Sequence, residues 1–108
     1  MTIAWAFLLL AGFFEICFTI CLKYSQGFTR LIPSIITVVF IVLSFFSVSQ
    51  AMKTIPIGTA YAVWAGIGAA GTVLCGIIFF GDSYHIIRLI SILLIIIGII
   101  GLKLAHCD

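Results

Sequence analysis

Only three of the 108 residues are acidic, and one of them, Glu15, stands inside the apolar run LLLAGFFEICFTICLK. At helical spacing Glu15 shares a face with Ala11, Gly12, Phe18, Thr19 and Leu22. The small residues leave room beside the carboxylate, while Phe18 supplies an aromatic wall and Thr19 a hydroxyl. Further along, Ser44, Tyr61 and Trp64 are the other candidates, Tyr61 and Trp64 being three apart on one face. Ser44 is read either as a partner of this group or as bonded to its own helix, and Trp64 either as a pocket wall or as packing. A lone carboxylate among rings has no nucleophile, metal or orienting histidine, so hydrolysis and group transfer are set aside and no enzyme is expected. The set suits an organic cation, which the negative charge attracts and ring faces stabilise. A proton and a cationic solute then compete for one carboxylate, and the two fluxes couple as antiport.

These residues are carried by a chain that is 65% hydrophobic and 7% charged, where a soluble domain carries about 25% charged residues. So little polar surface cannot cover a globule, and the solvent must be lipid. Crossing the hydrocarbon core takes about 20 apolar residues as a helix. The sequence accommodates four such spans, at about 3–22, 31–51, 57–80 and 86–104, in one all-α transmembrane domain over 1–108. The first apolar stretch lacks a basic leader and is long enough to span, so it is read as a retained helix. Gly27 serves a turn after the first span, Pro33 falls in the first turn of the second, and Gly81–Asp82–Ser83 break the third. Short connectors make neighbouring helices antiparallel, with both chain ends on one side of the membrane.

The spans differ in texture. The third is rich in small residues, and Gly58, Ala62, Gly66, Ala69 and Ala70 recur at roughly helical spacing, which permits close backbone approach in lipid. Gly66, Gly68 and Gly71 also make it the easiest span to bend. In the fourth, Ser91, Leu94, Ile95 and Gly98 form a seam suited to a helix–helix contact between subunits. Lys23, Arg30 and Arg88 fall on one side of the membrane and Lys53 and Lys103 on the other. With the charges so nearly balanced, the positive-inside rule favours neither orientation, as for a chain that inserts both ways. Two inverted copies would give the inverted-repeat architecture of secondary transporters, with the site at the midplane. The thiols of Cys17, Cys21 and Cys75 are read as small apolar filler, and Cys107 lies at the end. No metal, disulfide, cofactor or nucleic-acid partner is expected.

The stretches EICFTICLKYSQGFTRLIPS and PIGTAYAVWAGIG, with the seam around Leu94, Ile95 and Gly98, resemble the small multidrug resistance family of four-helix transporters from end to end. The resemblance implies an antiparallel homodimer in the bacterial inner membrane that exports cations by alternating access, Glu15 of both copies binding proton and substrate. It makes Tyr61 the hydroxyl that engages the carboxylates, Trp64 a pocket wall and Ser44 a hydrogen-bond partner of Glu15. GTAYAVWAGIGAAG and the ending GIIGLK are most similar to the guanidinium-exporting branch. Two positions depart from that branch: Phe18 stands where it typically has Trp, and Ala65 where it often has Thr. A broader exporter of quaternary ammonium and aromatic cations is therefore a second reading, and a non-transporting partner subunit of a hetero-oligomer a third.

Overall fold

The computed structural model describes residues 2–106, and the side chains of 3–105; Cys107 lies outside the described residues. The chain is all-α, with four membrane-spanning helices: α1 (Thr2–Tyr24), α2 (Leu31–Ala51), α3 (Ile57–Phe79) and α4 (Ile86–His106). α1 continues two residues past the expected Leu22, because Lys23 and Tyr24 still have carbonyls one turn back within reach. α3 ends at Phe79, and the N–H groups of Phe80 and Asp82 then both close on the carbonyl of Gly76, at 3.0 Å each.

Side-chain contacts give the helix directions. Ala11 meets Ser44 and Phe14 stacks near Phe40, with ring centres 5.8 Å apart, so residue numbers rise along α1 as they fall along α2. α1 and α3 run the same way: Gly12 faces Ile67, Glu15 faces Gly68 and Ile16 faces Gly71. α4 returns beside α3, and its Lys103 ammonium sits 4.6 Å from the centre of the Trp5 ring, near the start of α1. α1 is thus the hub, packed on both α2 and α3, whereas α2 and α3 are the most sparsely packed of the helix pairs that meet.

The interior inverts the habit of a soluble protein. α2 buries Thr37, Ser44 and Ser47 and exposes Ile35, Val38, Val42 and Phe46. In lipid the branched aliphatics already have an apolar solvent, so the close-packed face goes to small side chains. Their hydroxyls are satisfied locally: Thr37 donates to the Pro33 carbonyl at 2.7 Å and Ser47 to that of Leu43 at 2.8 Å. Leu8, Ala11, Val48, Ala51, Ala60 and Val63 form the apolar core between α1, α2 and α3.

The small stripe read in the third span divides between neighbours. Gly66 receives Ile95 and Ile99 of α4, and Ala70 is buried, but Gly58, Ala62 and Ala69 are exposed. Gly68 and Gly71 serve close approach to α1, and α3 stays α-helical throughout Ile57–Phe79. On α4, Ile92, Ile95, Ile99 and Leu102 turn toward the rest of the chain. Ser91, Leu94 and Gly98 occupy the neighbouring stripe, which is exposed, Leu94 by 63%.

Gly27 is not alone in shaping the first connector. Gln26, Gly27 and Phe28 all adopt left-handed backbone, with φ of 50°, 74° and 66°. For the two non-glycine residues this costs on the order of 1 kcal/mol each. The buried Ser25 hydroxyl offsets the cost by donating to the Leu22 carbonyl at 2.7 Å and accepting from the Phe28 N–H at 3.1 Å. Ser25→Ala removes both bonds and should destabilise the protein by about 1–2 kcal/mol, read as a lower unfolding midpoint in detergent. An unchanged midpoint would show that the turn holds itself.

Candidate functional site

Glu15 lies in the middle of α1, half-buried, with its carboxyl laid against the backbone of Gly68 on α3. A Cβ at Gly68 would occupy the same space as the carboxyl group, so only glycine provides this seat. The Oε1 atom is buried and has no hydrogen-bond partner among the described residues. Leaving a buried acceptor unpaired costs about 1–3 kcal/mol, and an acidic residue at the centre of a membrane helix costs about as much again on insertion scales.

Ser44 stands one helical turn away but does not touch Glu15. Its hydroxyl donates to the carbonyl of Ala11 at 2.8 Å and accepts the indole N–H of Trp64 at 3.0 Å. The expected Ser44–Glu15 hydrogen bond is therefore replaced by a junction between three helices. The physical reason is that Ala11 precedes Glu15 by one turn, which brings a free lone pair of a main-chain carbonyl to Ser44 before the carboxyl is in range. The alternative that Ser44 bonds its own helix is also replaced, since its acceptor lies on α1.

Three further expectations change in detail. Gly12 does not leave room beside the carboxylate; Ile67 of α3 fills that room, approaching to where a Cβ would be. Thr19 lies on the face of Glu15, but its hydroxyl donates to the main-chain carbonyl of Glu15, at 2.8 Å, and not to the carboxyl group. Ile95, one of the four seam residues, packs against Gly66 within the chain, while Ser91, Leu94 and Gly98 face outward. Phe18 is half-buried on α1.

The rings gather at the opposite end of the group. Trp64 meets Tyr61 at 6.0 Å and Phe45 at 5.5 Å between ring centres, both in edge-on arrangements. Tyr61 is 59% exposed and its hydroxyl has no partner among the described residues. Sequence reasoning singles out neither Phe45 nor Gly68. Phe45 follows Ser44 by one residue, about 100° around α2, so its edge-on contact with Trp64 is seen only once the helices are packed. Gly68 is visible there only as one glycine among several, because nothing in α3 alone reveals which of them faces α1. Cys17, Cys21 and Cys75 are free thiols, each half-buried. Chemically, the arrangement offers one carboxyl with an open acceptor, hydroxyls held on main-chain carbonyls, and a set of ring edges and faces.

If the Gly68 seat positions Glu15, Gly68→Ala should push the carboxyl aside and weaken binding of a cationic solute at least about tenfold, or roughly 1.4 kcal/mol. Isothermal titration of the purified variant checks this, and wild-type affinity would show that the seat is incidental.

Residues 3–95 match the family described as Small Multidrug Resistance protein. The chain is 55% identical to a guanidinium exporter from Proteus vulgaris and to one from Yersinia pestis, each over 102 residues that cover 94% of this chain and 98% of the relative. A guanidinium exporter from Citrobacter freundii is 53% identical over 102 residues, 94% of this chain and 97% of its own. The chain belongs to the small multidrug resistance family of multi-pass membrane transporters.

Proposed function

We propose that this chain is a proton-coupled antiporter that exports guanidinium and small guanidinyl cations from bacteria across the inner membrane. The observation that carries the reading is Glu15, a mid-membrane carboxyl whose buried oxygen has no partner among the described residues. A guanidinium ion brings planar N–H groups that match a carboxylate in geometry as well as charge. The ring group of Phe45, Tyr61 and Trp64 offers the faces and edges against which a planar cation rests. The relatives named for guanidinium export support the choice of cation.

The working unit in this reading is an antiparallel homodimer formed by two inverted copies. Three observations support it. Tyr61 is exposed within the single chain, which leaves its side chain available to a paired site. The stripe of Ser91, Leu94 and Gly98 is uncovered, and nothing among the described residues would meet a Cβ at Gly98. The basic residues are nearly balanced between the two sides. Glu15 of each copy then holds either a proton or part of the cation, and Tyr61 and Trp64 line the cation's resting place. Exclusive occupancy makes each inward proton release an outward cation, as alternating access requires.

A second reading has a specific observation in its favour. Phe18 provides no N–H donor where the guanidinium branch typically has an indole, which relaxes the polar selection and admits quaternary ammonium ions.

Electrical currents from liposomes containing the purified protein test both. Guanidinium should drive proton-coupled current that tetraalkylammonium ions do not; current from both supports the broader exporter, and none from guanidinium removes the first reading. Glu15→Gln keeps the shape of the side chain but cannot cycle a proton, so its coupled current should vanish while membrane insertion is retained. Acidification should weaken guanidinium affinity, since protons take the same carboxylates. The fall steepens toward tenfold per pH unit for each displaced proton, and a pH-independent affinity would end the shared-site scheme. Reporter tags at the carboxyl terminus should be detected on both faces of the membrane in similar amounts, and detection on one face alone would rule out self-pairing by inversion.

A further inference from the structure

The start of α1, the connector over 52–56 and the end of α4 share one face of the membrane. Among the described residues this face carries Lys53 and Lys103 and no carboxylate. Lys103 is held over the Trp5 ring, its ammonium 4.6 Å from the ring centre. Lys53 is exposed in the connector, with no carboxylate on its own face to pair with among the described residues. Beside it a groove of about 230 Å³ runs between the first turns of α1 and the end of α2, lined by Ile3, Ala4, Phe7, Gln50, Lys53 and Thr54.

The lining is graded along the membrane normal. Lys53 and Thr54 lie beyond the last residue of α2, in a tight turn whose N–H groups close on the carbonyls of Gln50 and Ala51, at 3.3 Å each. Gln50 stands in the last turn of α2, Ile3 in the first turn of α1, and Phe7 one turn deeper. Polar groups therefore edge the water side and apolar ones the hydrocarbon side, which is the order of surfaces along a phospholipid. Trp5 follows Ile3 by two residues, about 200° around α1, so its pairing with Lys103 stays out of the groove.

Charge selects among occupants. α1 begins here and α2 ends here, so their opposing macrodipoles offset and Lys53 sets the sign. An organic cation is repelled. A purely apolar chain leaves the donors of Lys53, Gln50 and Thr54 without an acceptor. A free anion satisfies those donors but makes no contact with the apolar wall of Ile3 and Phe7. We propose that the α1–α2 groove binds an anionic phospholipid, its phosphate on the Lys53 ammonium with the Gln50 amide and Thr54 hydroxyl donating, and its first acyl carbons against Ile3 and Phe7. The site stands apart from the transport reading and uses none of its residues. In an inverted pair, each leaflet meets one such groove.

Native mass spectrometry of the full-length protein tests this, with dioleoylphosphatidylglycerol and dioleoylphosphatidylcholine supplied in equal amounts, so that the two lipids differ only in headgroup. The wild-type protein should retain the anionic lipid about fivefold more, the factor that one basic residue contributes at an anionic surface. Lys53→Gln should bring that ratio close to one. Gln50→Glu keeps Lys53 and the shape of the wall but gives the ammonium a carboxylate of its own, and it should also lose the preference. Arg30→Gln removes the same charge from the opposite face and should keep it. Inorganic phosphate, added at constant ionic strength, should not displace the lipid. Equal retention of both lipids by the wild-type protein overturns the proposal, as does a preference that survives Lys53→Gln or Gln50→Glu. Equal loss in Arg30→Gln shows attraction to overall charge and overturns it as well. Displacement by inorganic phosphate makes the groove a site for a free anion and overturns the lipid assignment.

Discussion

The hydroxyl of Ser44 ties three helices together, and the position of the carboxyl depends on it. It donates to Ala11 on α1 and accepts from Trp64 on α3. One turn beyond Ala11 is Glu15, and one turn beyond Trp64 is Gly68. Fixing the first pair therefore fixes the second, and the carboxyl is pressed against its glycine. α2 and α3 are sparsely packed, so the indole N–H, with the Phe45–Trp64 ring contact, sets their separation. Lipid supplies no hydrophobic drive to bring helices together, and one hydroxyl shared by three elements does the orienting that a large apolar core does elsewhere. Removing it would cost a few kcal/mol at most, but it would release two registers at once.

The packing around that junction explains why the site can bear an unpaired acceptor. The carboxyl lies against the main chain of Gly68 on α3, and the turn of α1 before it carries the small residues Ala11 and Gly12. Such surfaces do not collapse around a carboxyl group or supply donors that would quench it. Ile67 fills the space at Gly12, which blocks retreat of the Glu15 side chain toward the start of α1. The carboxyl is therefore held in place from one side and left chemically available on the other.

Much of this is legible in the sequence, and the parts that are not share one cause. Four helices follow from apolar length alone, and Glu15 stands out because an acid in a span is rare. Tyr61 and Trp64 are identified by type and spacing. Partners across helices are a different matter. Residue types point Ser44 at Glu15, yet a carbonyl one turn earlier captures it, and carbonyl positions are invisible in a side-chain pattern. The size of Gly12 suggests an open space, yet Ile67 occupies it, because a gap on one helix attracts a branched residue of the next. The glycines of α3 read as one stripe, but Gly66 serves α4 while Gly68 and Gly71 serve α1. Periodicity specifies that a helix has faces; it does not say which neighbour each face meets.

The last helix carries two stripes set a single residue apart. Ile92, Ile95, Ile99 and Leu102 lie toward the chain's own interior, and Ser91, Leu94 and Gly98 lie outside it. Successive residues on a helix are separated by about 100°, so the two stripes differ by one step of rotation. The connector ahead of α4 consequently acts as a phase setting. Adding or deleting one residue between Gly81 and His85 would turn the helix by that step and exchange its inner and outer identities. Loop length, ordinarily the most forgiving property of a protein surface, is here as restrictive as the identity of a core residue.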